Sequence, residues 1–168
     1  MRNGSEYDDR KWATTDIVDI IPPGVDNDTI SKTDDVSAGT TKLSDEDLHD
    51  LFQHRNLAYL ATLSKDGSPH VIPVWAELVD NLILINTFET SVKNKNIMND
   101  KRIALSMVEQ NNPFNTVSIK GRVIEQVTEG ADEHLKRLAK KYLGIGRYYY
   151  RKPNHKRIIL KIKPEKIM

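Results

Sequence analysis

The sequence predicts a mainly β, α+β fold: a closed or split six-stranded barrel with two or three helices packed outside it. Three observations carry that expectation. Short runs rich in Val, Ile, Leu, Thr and aromatic residues recur from Leu57 to Ile162, at lengths that suit strands rather than helices. Tight polar turns, Lys65-Asp66-Gly67 and Asp80-Asn81, join neighbouring runs and so imply antiparallel pairing. Only three stretches show helical spacing, and they lie before or between the strand-like runs.

Taken in order, Ser44 is a good N-cap, and Asp45, Glu46 and Asp47 follow it where the helix dipole favours negative charge. Leu48, Leu51 and Phe52 recur at helical spacing, so residues 45–54 are expected to form a short amphipathic helix. Leu57 to Leu63 has little polar relief and reads as a strand buried on both faces. Gly67 accepts positive φ in the turn that follows.

His70 to Ala76 reads as the second strand. Pro73 within it cannot donate to a ladder, which argues for an edge or a bulge. Leu82 to Thr87 is the third strand, Glu89 to Asn99 a polar helix, and Arg102 to Val108 the fourth strand. Asn112-Pro113-Phe114 reads as a loop. Thr116 to Glu125 alternates cleanly and is the fifth strand, with one face toward water. Gly130 to Leu143 carries Leu135, Leu138, Ala139 and Tyr142 on one helical face. Gly144 and Gly146 end that helix, and Arg157 to Ile162 is the sixth strand.

The 168 residues suit one domain with an appendage. Residues 1–42 are rich in Asp, Thr, Ser and Gly around one apolar cluster, Ile17 to Ile21. They are expected to form a flexible acidic leader, and residues 43–168 the barrel body. Residues 1–47 hold 5 Lys/Arg against 12 Asp/Glu, and the remainder 20 against 12. A basic body favours anionic ligands. Without cysteine there is no disulfide scaffold, thiolate metal site or cysteine nucleophile. A cytoplasmic protein is expected, with no apolar run long enough to span a bilayer and no signal-peptide core in Met1 to Trp12.

Lys93, Lys95 and Asn96 lie in the first turns of the helix after the third strand, and Thr90 and Ser91 precede them. Free amides, hydroxyls and two ammonium groups at a helix start suit phosphate; an ordinary solvated helix face is the plainer alternative. Trp75 and Asn112 to Phe114 offer surfaces on which a planar ring can stack, or simply core. Tyr148-Tyr149-Tyr150 between Arg147 and Arg151 either lines a pocket or covers the barrel end. The five histidines show no metal-ligand spacing, and no serine-nucleophile motif or Gly-rich phosphate loop is present. Redox chemistry, if any, then falls to a bound cofactor.

Six pieces in fixed order, LATLSKDGSPHVIPVW, LILINT, VKNKNIMNDKRIALSMV, NNPFNTVSIKGRV, EGADEHLKRLAKKYLGIGRYYYRKP and KRIILKIKPEKI, resemble the pyridoxamine-phosphate-oxidase-like split-barrel flavoproteins. The resemblance runs from Ser44 to about Ile167 and is closest to the branch that uses the deazaflavin coenzyme F420. It implies a homodimer with two cofactor sites at the subunit interface. It also implies that Lys93 is the phosphate-binding lysine, that Lys95 stands where relatives often carry arginine, and that Asn96 matches a frequent asparagine. Ile72, Val74 and Trp75 would flank the ring, with Thr87 and Ser91 nearby and Asn112, Pro113 and Phe114 placed to reach the site. Glu89-Thr90-Ser91 departs from the Gly-Arg pair of many relatives, and lysine at Lys95 lacks the bidentate fork of arginine.

The expectation is therefore an oxidoreductase passing hydride from reduced F420 to a small unsaturated or conjugated acceptor, with solvent or Tyr148 as proton donor. FMN in place of F420 is the nearest alternative. A non-catalytic cofactor carrier or sensor is another, and aromatic stacking on nucleic acid a third, which the acidic leader disfavours. No nucleic acid, membrane or metal is expected as a partner.

Overall fold

The computed structural model describes residues 45–145 and 156–168. The acidic leader, the Ser44 cap, Gly146 and the Arg147 to Arg151 aromatic loop lie outside them. Among the described residues, three helices, α1 (Asp45–Gln53), α2 (Val92–Asn99) and α3 (Ala131–Leu143), accompany seven strands. The strands are β1 (Ala58–Leu63), β2 (Pro69–Val74), β3 (Ala76–Val79), β4 (Leu82–Phe88), β5 (Arg102–Glu109), β6 (Asn112–Val127) and β7 (Arg157–Ile167).

All pairings are antiparallel, in one sheet of order β2-β1-β5-β6-β7-β4-β3. Seven strands, not six, result because the second sequence run divides at Trp75. Residues through Val74 pair with β1, whereas those from Ala76 pair with β4. The two outermost strands of the sheet are thus consecutive in sequence, one residue apart. A chain can reach both edges across one residue only if the sheet curls until those edges meet. Trp75 is the seam of that split barrel.

Turn chemistry sets the hairpins. Asp80 and Asn81 both adopt positive φ (49° and 61°) between β3 and β4, the primed turn that matches strand twist. Gly67 sits at φ 85°, and Ser68 donates backbone and hydroxyl bonds to Asp66 Oδ1. Pro73 lies on β2, which pairs with β1 alone, so its missing N–H costs no second ladder. At Gly121 a Cβ would stand 2.7 Å from the Lys163 carbonyl oxygen, at a register shift where β6 meets β7; only glycine permits that approach.

The barrel interior is filled by Leu60, Ile83, Ile85, Leu105, Met107, Ile119, Leu160 and Ile162, all essentially inaccessible. Leu48, Leu51 and Phe52 seat α1 against this core, next to β3 and β5. β1 departs from expectation. Ala58, Leu60 and Thr62 are buried, while Tyr59 on the opposite face is 46% exposed. No layer of the described chain covers that outer face, so alternation replaces the two-sided burial suggested by composition. β6 also begins earlier than expected: Asn112 pairs with Glu109 across a bulge, so Asn112 to Phe114 extend a hairpin rather than form a loop.

Candidate functional site

A cleft of about 330 Å³ lies beside the seam, lined by Leu57, Pro73, Val74, Trp75, Asn86, Lys93, Leu135, Leu138 and Arg157. Six separate parts of the fold supply it: the residue before β1, the seam, β4, α2, α3 and the start of β7.

Lys93 is placed by a chain of hydroxyls. Ser91 caps α2, and its Oγ accepts from the Asn94 N–H at 3.3 Å. Thr87 Oγ1 at the end of β4 donates to Ser91 Oγ at 3.1 Å, and Lys93 Nζ donates to Thr87 Oγ1 at 3.0 Å. Asn94 Nδ2 closes the turn by donating to the Glu89 carbonyl at 2.8 Å. Burial holds the Lys93 ammonium below its ordinary value, and the Arg157 charge adds to the effect. A half-buried amine facing a second cation favours an anion between them.

Arg157 is aimed by Asn86. Its Nη1 donates to Asn86 Oδ1 at 2.8 Å, and Asn86 Nδ2 in turn donates to the Ala131 carbonyl at 2.7 Å. The guanidinium lies 4.1 Å from the Phe88 ring centroid, a cation–π contact that flattens it against β4. Trp75 supplies the flat wall. Its ring stacks on Tyr142 of α3, with centroids 5.2 Å apart and planes 6° from parallel.

Of the residues singled out from sequence, Val74, Trp75 and Lys93 line this cleft, and Thr87 and Ser91 support Lys93 from behind. Ile72 packs partly buried against the barrel core. Asn96 is buried, and its Nδ2 donates to Thr62 Oγ1 at 3.1 Å, tying α2 to β1. Lys95 is exposed on α2. Asn112, Pro113 and Phe114 are exposed at the end of the β5–β6 hairpin, Phe114 to 83%, and do not line the cleft of their own chain. Asn86 and Arg157 are cleft residues that sequence reasoning passed over. The one signal for Asn86 was a lone amide ending the apolar run Leu82 to Ile85. Arg157 gave only a cation opening an apolar strand.

Among the described residues, no group of three or more His, Asp or Glu side chains is arranged to hold a metal ion. No helix among them is long and apolar enough to cross a membrane.

A sheet curled until its edges meet at one residue, with helices outside and a cationic cleft at the seam, defines the split-barrel class. Residues 44–168 match the family model described as pyridoxamine 5'-phosphate oxidase, and the chain belongs to that family. Among solved structures, it resembles an F420 reductase at 21% identity and TM-score 0.64, covering 71% of this chain and 94% of that one. A conserved hypothetical protein from Mycobacterium tuberculosis is similar at 26% identity and TM-score 0.58, covering 74% and 82%. General stress protein 26 from Bacillus anthracis aligns at 19% identity and TM-score 0.54, covering 73% and 89%. At such identities these likenesses speak to the fold. No curated protein matches the chain.

Proposed function

We propose that this chain is a cytoplasmic oxidoreductase that uses reduced coenzyme F420 to transfer hydride to a small unsaturated or conjugated organic acceptor. The observation that carries this reading is the pairing of two cations, Lys93 and Arg157, with an indole wall, Trp75, in one cleft. A flat, phosphorylated cofactor fits those residues: charge for the phosphate, an apolar face for the ring. The resemblance to an F420 reductase, close in fold and covering nearly all of that protein, favours the deazaflavin.

In this reading Lys93 Nζ and the Arg157 guanidinium bind the phosphate, Thr87 and Ser91 place the amine, and Asn86 orients the guanidinium. Val74 and Trp75 set the ring wall, while Leu57, Leu135 and Leu138 exclude water. When bound, the cofactor supplies the hydride and the conjugation that makes its loss easy. Lys95, Asn96 and the Asn112 to Phe114 hairpin tip stand further off. The hairpin tip is assigned to the site of a second subunit.

A homodimer belongs to the same proposal. The outer face of β1 and β2 leaves Leu57 41%, Tyr59 46% and Val71 59% exposed, an apolar wall of the kind that interfaces cover. Leu57 and Pro73 belong both to that face and to the cleft, which suits a cofactor site at the subunit boundary.

FMN is the second reading, favoured because Lys93 and Arg157 would hold either phosphate and the sequence resembles flavoproteins. The test is anaerobic turnover of the full chain with reduced F420, or with reduced FMN, against conjugated carbonyl acceptors, followed by the visible absorbance of the cofactor. Acceptor-dependent oxidation of reduced F420 is expected. Tight binding without turnover of any acceptor would instead make the protein a carrier or sensor.

A further inference from the structure

We infer that Lys141 and Tyr142, in the last turn of α3, are positioning residues that set the attitude of the Trp75 indole and thereby how a planar ring lies in the cleft. This rests on the reading of that cleft as a cofactor site.

Trp75 lies at the seam between the two sheet edges, and α3 packs against its ring there. Tyr142 covers one face of the indole, nearly parallel to it. The phenol is itself pinned on both sides: Tyr142 Oη donates to the Asn56 carbonyl at 3.0 Å and accepts from the Ala76 N–H at 3.2 Å. Ala76 is the residue after Trp75. Its carbonyl is taken as well, by Lys141 Nζ at 3.1 Å, and the same amine donates to the Phe52 carbonyl at the end of α1.

Both main-chain polar groups of the residue that follows the indole are thus bound by adjacent side chains of one helical turn. That turn meets the Trp75 ring and the backbone of the next residue at once. Lys141 Nζ also lies 4.8 Å from the Tyr142 ring centroid, which stiffens the phenol further. Burial pushes the Lys141 amine down to about 8, with Glu77 acting in the opposite sense. A lysine held half-buried against a desolvation cost, by bonds to two carbonyls, is a tether rather than a solvated charge. The same helix supplies Leu135 and Leu138 to the cleft, so α3 provides both the stack on the indole and part of the apolar floor.

The experiment uses the full chain in a Trp12→Phe background, which leaves Trp75 as the one tryptophan. Tyr142→Leu removes the stack, Tyr142→Phe keeps the ring but loses both hydroxyl bonds, and Lys141→Met keeps the stem but loses the tether. Trp75 emission and acrylamide quenching are read in each. Affinities for FMN and F420 are read beside that for inorganic phosphate, a probe without a ring. Tyr142→Leu is expected to red-shift Trp75, increase quenching and weaken both ring-bearing ligands roughly three- to tenfold, with phosphate affinity unchanged. Tyr142→Phe and Lys141→Met should show the same pattern in smaller measure, and they decide the matter if the leucine variant fails to fold.

Unchanged emission together with unchanged FMN and F420 affinities overturns the inference. So does a fall in phosphate affinity in step with the ring ligands, because that marks general damage to the cleft. If the parent protein binds neither FMN nor F420, the cofactor reading fails, and Trp75 emission and quenching alone decide whether α3 positions the indole.

Discussion

Two cations in one cleft are ordinarily an electrostatic liability, and each is placed there by a hydrogen bond to a neutral side chain. Lys93 leans on the Thr87 hydroxyl at 3.0 Å, and Arg157 on the Asn86 amide at 2.8 Å. Both bonds are made to neutral groups, and two cations in one cleft suit an anionic ligand. Arg157→Met should therefore weaken a phosphorylated ligand by roughly ten- to a hundredfold, the worth of a charge-assisted hydrogen bond. Asn86→Leu should weaken it less, through loss of aim rather than of charge. Isothermal titration of both variants checks the order, and an Asn86 effect larger than that of Arg157 would contradict it.

At the scale of elements, α3 is fastened to β3 through Glu77. Its carboxylate lies 3.2 Å from Arg137 Nη2 and 3.4 Å from the fully buried ring of His134. The His134 contact first, then Arg137, holds the Glu77 carboxyl down to about 2 from an ordinary 4.5. With the folded value depressed, the stabilisation is complete above about 4.5 and is lost as pH falls toward 2. The Glu77 side chain is 28% exposed, so solvent screening trims the contribution to about 1–2 kcal/mol. Glu77→Gln should lower stability at neutral pH by that amount and flatten the acid limb of the denaturation profile. An acid limb of the same slope in the variant would assign the pH dependence to other carboxylates.

Elements, too, are where sequence and structure can be compared. The Asp80-Asn81 turn, the polar helix and the Leu135/Leu138/Tyr142 face were legible because turn chemistry and periodicity are local properties. The division of the second strand at Trp75 was not, because residues 70–76 look like one continuous strand and the break exists only once the sheet closes. Asn112 to Phe114 looked like a loop for a related reason: Asn112 pairs with Glu109 of β5 only across a bulge, which no local pattern marks. Within the site, Lys93 was legible from its place at a helix start. Asn86 and Arg157 meet only through the β4–β7 pairing, across 71 residues of chain.

For the whole molecule, the outward face of β1 and β2 is the proposed subunit interface. Tyr59 and Val71 are exposed on one face of adjacent strands as diagonal neighbours, Ala61 pairing with Val71 and Tyr59 with Pro73. A Tyr59→Glu/Val71→Glu double variant should stay folded, since neither side chain enters the barrel core, but should sediment as a monomer, whereas the parent protein is expected to sediment as a dimer. Cofactor affinity should fall with it if the cleft is completed by a second subunit. A parent protein that is monomeric and binds cofactor at full strength would remove the dimer from the account.

The central claim is that this cleft binds a phosphorylated, planar redox cofactor through Lys93, and the most direct measurement is a fluorescence titration of the full chain with F420 and with FMN at physiological salt. Saturable binding that prefers F420, and that Lys93→Ala weakens by about ten- to a hundredfold without loss of folded structure, is the predicted result. Affinity unchanged in Lys93→Ala, or binding of neither cofactor by the parent protein, would contradict it.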